Sequence, residues 1–244
     1  MPKRKTSVRA LVPLERLKAE HPFRFQWDRR KKKEPAPQPN TWLTPAGPCP
    51  NLYADVLNQP HVFFAAPQGP ERDRVRDGVI HAALFEAPCR LRLILLDFAD
   101  FGMLRFRELP HVKGYTRHPV TGAEYLQRAV GMMEKRMAAR KGTVFPALWI
   151  ILDGLDVLPA EQKEAMAPLI RQILTQGEKA DVHLLALAAA TGEFDASFPA
   201  HAFLLGGGVS YRTAERNEVC AIPQIEDQAI ERQIRWWMDQ KERV

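Results

Sequence analysis

The chain has 244 residues, 45% of them hydrophobic, and a formal net charge of +6, which is enough for one α/β domain with a tail. Three scattered cysteines, none in a CxxC pair, argue against a disulfide-rich or zinc-bound fold and favour a reducing, cytoplasmic location. No apolar run approaches the ~20 residues of a membrane span, and no apolar segment follows the basic N-terminus, so neither a span nor a secretory signal is expected.

Positive charge is concentrated in an N-terminal arm, residues 1–48. Residues 1–33 carry 12 Lys/Arg and 3 Asp/Glu, a net +9, whereas the other 211 residues carry 23 and 26, a net −3. Prolines at 35, 37 and 39 favour an extended linker behind this charge. Trp27 precedes the densest cations, which are Arg29, Arg30, Lys31, Lys32 and Lys33. Such a mixture suits DNA phosphate contact with base stacking, while docking on an acidic protein, or no partner, are the alternatives.

Residues 49–244 are predicted to form one α/β domain. Short, continuous apolar runs fit strands that are buried on both faces, as in a parallel sheet; they cover 61–66, 91–98, 147–153, 183–190 and 202–208. Segments with helical spacing lie between them, at 72–86, 123–141, 160–176 and 224–240. This alternation predicts a mostly parallel sheet flanked by helices. On the last helix, Trp237 is expected to face inward and Trp236 to lie on the surface, where it suits partner contact.

Any ligand is expected at one edge of this sheet. In open parallel sheets, ligands bind beyond the carboxyl ends of the strands. That rule brings four segments together: 66–73, 97–102, 153–158 and 189–195.

From about residue 43 onwards, the chain resembles the motor domain of the FtsK/SpoIIIE-type DNA translocases, which are hexameric RecA-like P-loop ATPases. The similarity lies in the order and spacing of several segments, including "CPNLYADVLNQPHVFFAAPQG", "LRLILLDFADFGMLRFRELPHV", "FPALWIILDGLDVL" and "GEKADVHLLALAAATG". The resemblance implies a RecA-like P-loop fold and assembly with copies of itself or with homologous ATPase subunits, as homo- or hetero-oligomers.

The phosphate-binding loop departs from that family's pattern. A working loop, G-x-x-x-x-G-K-[ST], cradles phosphates with backbone N–H groups and serves them with a lysine and a hydroxyl. Here only the middle glycine, Gly69, is kept, and the other four positions are Ala66, Glu71, Arg72 and Asp73. Glu71 and Asp73 place negative charge where a triphosphate lies. Near the start of a helix, these acids, together with Asp77, are instead favourable.

The second ATPase motif is degenerate as well. Asp153 ends the apolar run and matches the Mg²⁺-binding aspartate, but Gly154 replaces the glutamate that activates water in the family. Asp156, two residues further on, is poorly placed as a substitute base. The polar sensor segment reads Ala188, Ala189 and Ala190.

These departures predict a non-catalytic subunit, an accessory or structural part of a DNA-handling or translocation assembly. No cofactor and no metal site are expected. One alternative is an ATP-dependent DNA translocase that uses ATP and Mg²⁺ with Arg72, Asp153 and Asp156. Another is a nucleic-acid-binding protein that acts through its basic arm.

Overall fold

The computed structural model describes residues 52–57, 59–140, 142–189, 197–205, 208–213, 217–222 and 225–241, all within one compact unit. The basic arm, and with it Trp27 and the cations at 29–33, lies outside the described residues. Among the helices that are described, none is long and apolar enough to cross a bilayer.

The described strands form a single sheet in the order β3-β2-β4-β5-β1-β6-β7-β8. From β3 to β6 all neighbours are parallel, while β7 and β8 extend the sheet as antiparallel strands. The strands are β1 His61–Ala65, β2 Leu91–Asp97, β3 Val112–Thr116, β4 Ala147–Asp153, β5 Val182–Ala188, β6 Ala200–Leu205, β7 Gly208–Arg212 and β8 Asn217–Ala221.

Five α-helices lie within the described residues and cover both faces of the sheet. They are α1 Leu52–Leu57, α2 Pro70–Ala83, α3 Pro119–Met137, α4 Ala160–Gln176 and α5 Asp227–Lys241. Proline is the first residue of α2 and of α3, a position where its fixed φ and missing N–H carry no penalty. Proline therefore marks helix starts earlier than hydrophobic spacing does.

The core has one layer on each face of the sheet. On one face, α1, α2 and α5 contribute Tyr53, Val79 and Trp237. On the other, α3 and α4 contribute Leu126 and Ile170. The central strands are buried on both sides, which is why they appear in the sequence as continuous apolar runs.

Three strands, β3, β7 and β8, were not predicted from the sequence. The segment that forms β3, VKGYT, contains Lys113 and Gly114 and is only half-buried because β3 is an edge strand. Such a segment has neither a continuous apolar run nor a high β-propensity. Its position depends on pairing with β2.

Candidate nucleotide site

The site lies at the carboxyl edge of the parallel strands. The loop after β1 leads into α2, and the loops after β2 and β4 lie beside it because Asp97 and Asp153 are in register. One strand, β5, separates β1 from β4. The segments 66–73, 97–102 and 153–158 come together here as predicted, joined by Leu187 at the end of β5. Residues 190–195 of the fourth segment lie outside the described residues.

The turn before α2 depends on the backbone freedom of a glycine. Gly69 has φ 152° and ψ 177°, a combination that is essentially restricted to glycine. Ala66 is buried, and its N–H donates to the carbonyl of Ala188. Glu71 and Asp73 lie in the first turn of α2. The helix therefore begins two residues before the predicted range of 72–86, with acids at its positive end.

Arg72 does not point towards solvent. Its side chain is 1% exposed and reaches through the site to Asp153, with Nε donating to Oδ1 at 2.7 Å. One Nη group donates to the carbonyl of Leu187 at 2.7 Å and the other to the carbonyl of Ala66 at 3.3 Å. Asp156 accepts longer hydrogen bonds of 3.3–3.4 Å from the same guanidinium. All three nitrogens of Arg72 therefore have partners inside the protein.

Arg76, one turn further along α2, binds the other oxygen of Asp153. Its Nη1 donates to Oδ2 of Asp153 at 2.9 Å and to Asp100 at 3.1 Å. The same nitrogen lies 2.8 Å from Asp73, and Nε lies 3.1 Å from Asp77. We call Arg72, Arg76, Asp153 and Asp156 the arginine–aspartate cluster. Both oxygens of Asp153 are engaged by arginine within it.

The same geometry accounts for a group of carboxylates that resembles a cation site. Asp73, Asp100 and Asp153 each place an oxygen within 4.8 Å of the others. Nη1 of Arg76 lies 2.8 to 3.1 Å from an oxygen of each of them. The guanidinium thus occupies the centre of the group and supplies the positive charge that a divalent ion would bring.

Burial dominates the electrostatics of the site. It raises the pKa values of Asp73 and Asp77, although the Arg76 guanidinium opposes this shift for both. Burial alone would lower the pKa of Arg76, but the carboxylates of Asp77 and Asp153 more than compensate and raise it. A further anion such as a triphosphate would therefore enter a site that is already poorly hydrated and rich in carboxylates.

Gly154 leaves no room for the glutamate that the resembling family has at this position. Its φ of 92° lies in the left-handed region, and a Cβ atom there would be 2.6 Å from the backbone nitrogen of Ala99. The backbone of the loop after β2 therefore closes the position from which a carboxylate would activate water.

Three contributors to the site were not singled out from the sequence: Arg76, Asp100 and Arg105. Arg105 binds Asp77 at 2.7 Å, so Asp77 is held by arginines, two turns into α2. The i, i+4 spacing of Arg72 and Arg76 was a usable signal, because it places both on one face of α2. Gly102 fits the same account, since a side chain there would collide with the guanidinium of Arg76.

Trp236 lies away from this site, on α5. Trp237 is buried as predicted, and its Nε1 donates to the carbonyl of Leu84 at 2.8 Å. Trp236 is partly buried and packs edge-on against Trp237 at 4.6 Å between ring centroids. Only part of its surface is left for a partner.

No protein-family model and no curated protein match the chain. Among solved structures, it is similar to Thermomonospora curvata EccC (ATPases 2 and 3, in complex with a signal sequence peptide), with 13% identity, a TM-score of 0.57, and coverage of 70% of this chain and 38% of that one. EssC (ATPases 2 and 3) from Geobacillus thermodenitrificans is 13% identical, with a TM-score of 0.58 and coverage of 76% and 44%.

The pCW3 conjugation coupling protein TcpA, solved as a monomer with ATPγS, is 9% identical, with a TM-score of 0.58 and coverage of 75% and 66%. The chain spans less than half the length of the EccC and EssC structures. At these identities the likeness establishes the fold alone. The chain has the RecA-like P-loop ATPase fold, a mostly parallel sheet flanked by helices, as the resemblance in sequence implies.

Proposed function

We propose that the protein is a non-catalytic subunit with the fold of a translocase ATPase. The observation that carries this proposal is the engagement of both oxygens of Asp153 by Arg72 and Arg76. In the resembling family this aspartate serves Mg²⁺ and the residue at position 72 serves phosphate. Here the two groups bind each other, and neither is left for a nucleotide.

Binding of Mg²⁺ and ATP would require this cluster to open. Arg72 and Asp153 are each about 1% exposed, and separating a buried ion pair leaves uncompensated charge at a cost of about 3–5 kcal/mol. At 1.4 kcal/mol per factor of ten, that cost lowers affinity by roughly two to three and a half decades. Gly154 adds a second obstacle, because hydrolysis would lack its usual base.

The role that fits such a subunit is accessory or structural, within a translocation or DNA-handling assembly. The likeness to the Thermomonospora curvata type VII secretion ATPase EccC and to the conjugation coupling protein TcpA supports the general setting. We infer that the partners are homologous ATPase subunits or copies of this chain. The basic arm supplies a second contact, with DNA phosphates, through its cations at residues 29–33.

Isothermal titration of the full chain with ATPγS and Mg²⁺, with and without duplex DNA, tests the nucleotide site. We expect no saturable heat and no hydrolysis above the buffer rate in a parallel phosphate-release assay. Saturable binding together with DNA-stimulated hydrolysis, both lost in Asp153→Asn, would instead support a translocase with an unusual site. Thermal unfolding of Asp153→Asn is needed alongside, because that change also disturbs the arginine–aspartate cluster.

Deletion of residues 1–40 tests the arm separately. If the arm binds DNA, fluorescence anisotropy with a labelled duplex should show salt-sensitive binding by the full chain only. Equal DNA binding by both forms would place the DNA contact elsewhere.

A further inference from the structure

Four cations lie near the amino-terminal edge of the parallel sheet. Arg92 and Lys113 are the second residues of β2 and β3, and both are exposed. Nζ of Lys241, at the end of α5, donates to the carbonyl of Glu108, and Nζ of Lys113 donates to that of Pro110. Both ammonium groups are thus anchored to the loop that precedes β3.

Arg136, near the end of α3, extends this group of cations. Its guanidinium donates to the carbonyls of Ala180, Asp181 and Pro146 at 2.8–2.9 Å, in the segments that lead into β5 and β4. Burial and the neighbouring charge of Arg92 lower the pKa of Arg136, although Asp181 opposes this. Burial, Arg92 and Lys241 likewise lower the pKa of Lys113. Arg92 is therefore an electrostatic neighbour of both Arg136 and Lys113, and Lys241 is a neighbour of Lys113.

Two of the carboxylates near these cations have other side-chain partners. Asp181 binds His183 at 2.8 Å, and Glu108 binds Arg107 at 3.0 Å. Across the described part of the chain, Arg92, Lys113, Arg136 and Lys241 form no salt bridge with a carboxylate. Their charge is therefore available to an external anion.

Exposed apolar side chains accompany the cations. Val144 is 76% exposed, Met137 is 42% exposed and Phe145 is 37% exposed. Val144 and Phe145 lie three and two residues before β4, and Phe145 lies under the guanidinium of Arg136 at 5.3 Å. Because neighbouring strands run in parallel, these residues lie at the sheet edge opposite the arginine–aspartate cluster. We call the four cations and three apolar residues the basic apolar edge.

We propose that the basic apolar edge docks on an anionic membrane surface. Cations near such a surface are attracted to acidic headgroups, while apolar side chains beside them enter the boundary between headgroups and acyl chains. The apolar residues favour lipid over nucleic acid. Val144 and Met137 are aliphatic and cannot stack on bases, and the ring of Phe145 already has Arg136 over it. Docking through the basic apolar edge does not depend on nucleotide binding at the opposite sheet edge.

Flotation of the full chain with vesicles tests the proposal. We would compare pure phosphatidylcholine with an equimolar mixture of phosphatidylcholine and phosphatidylglycerol, and expect partitioning into the mixture only. Arg92→Glu with Lys113→Glu should weaken partitioning roughly 25-fold or more, at about fivefold for each cation. Val144→Ser with Phe145→Ser should weaken it by about tenfold, and Val144→Ser alone by less.

Matched changes away from the edge serve as controls. Val157→Ser removes an exposed apolar residue at the opposite sheet edge, and Arg128→Glu reverses an exposed cation on α3. Both should leave partitioning unchanged. The basic arm contributes equally to every variant, so the comparison isolates the edge. Unfolding curves identify any variant that has lost its fold.

Tryptophan quenching by brominated lipid gives an independent reading of orientation. Phe145→Trp should gain a quenched component on the mixed vesicles, whereas Val157→Trp should not. Equal quenching of the two, or unchanged partitioning of both edge variants, would overturn the proposal. So would loss of duplex DNA binding in Arg92→Glu with Lys113→Glu while vesicle partitioning persists, because the edge would then belong to nucleic acid.

Discussion

At the scale of single residues, position 72 has arginine where a working phosphate-binding loop has lysine, and its side chain binds the protein instead of a phosphate. A guanidinium offers a planar set of donors that matches a carboxylate and two carbonyls, which an ammonium point charge does not. Arg72 uses that geometry on Asp153, Leu187 and Ala66. The residue that would bind phosphate in a working loop therefore links α2 to the ends of β4 and β5 and stabilises the fold.

Arg72→Met tests this structural role. The variant should lose about 3–5 kcal/mol of unfolding free energy, because the buried Asp153 keeps only one arginine. Arg74→Ala, an exposed change on the same helix, should alter stability by less than about 0.5 kcal/mol. Urea denaturation measures both. Combining Arg72→Met with Asp153→Leu should recover part of the loss, and strict additivity of the two changes would contradict the pairing.

Gly154 is the second decisive residue. Gly154→Ala should destabilise the protein by about 1–3 kcal/mol, since the left-handed backbone and the contact with Ala99 both oppose a side chain. Gly131 is the matched control, because a Cβ atom there meets nothing within 4 Å and the residue lies inside α3. Gly131→Ala should stabilise by about 0.5–1 kcal/mol. Equal effects of the two changes on the melting temperature would contradict this account.

At the scale of elements, the two acids in the first turn of α2 are expected to affect stability differently. Glu71 faces the positive end of the helix, so Glu71→Gln should cost about 0.3–1 kcal/mol, and less in high salt. Asp73 is different, because burial and neighbouring carboxylates raise its pKa despite Arg76. Asp73→Asn should therefore leave the melting temperature unchanged or higher at pH 7. If Asp73→Asn lowered the melting temperature more than Glu71→Gln does, the ion pair between Asp73 and Arg76 would outweigh the cost of burying the Asp73 carboxylate.

At the scale of the whole molecule, buried histidines set a limit in acid. Burial lowers the pKa values of His61, His81 and His111 from 6.5 to about 4. The folded protein then binds fewer protons than the unfolded chain between pH 6.5 and 4, so stability falls as pH falls through that window. Below pH 4, each histidine lowers the free energy of unfolding by about 3.5 kcal/mol at most, at about 1.4 kcal/mol per pKa unit. The raised pKa values of Asp77 and Asp97 act in the opposite direction.

His111→Gln isolates one of these histidines. Nε2 of His111 lies 2.8 Å from the carbonyl of Glu86, a contact that a glutamine amide can replace. Chemical denaturation at a series of pH values should show a shallower loss of stability below pH 6.5 in this variant. His118→Gln, the same substitution at an exposed position, is the control for the change of side chain itself. Identical slopes for His111→Gln and the unchanged protein would refute the assignment.

The amino-acid sequence by itself determined the central strands, the alternation with helices and the loss of the glycines and lysine of the phosphate-binding loop. These features are local, because a strand buried on both faces or a missing glycine is visible within a few neighbouring residues. The tertiary structure alone decided where Arg72 and Arg76 point, since their partner Asp153 lies 81 and 77 residues away along the chain. It also decided that the backbone of Ala99 leaves no space for a side chain at position 154. In the same way, it brought cations from separate elements to one sheet edge. Contacts between distant segments depend on strand order and register, which no local pattern of side chains specifies.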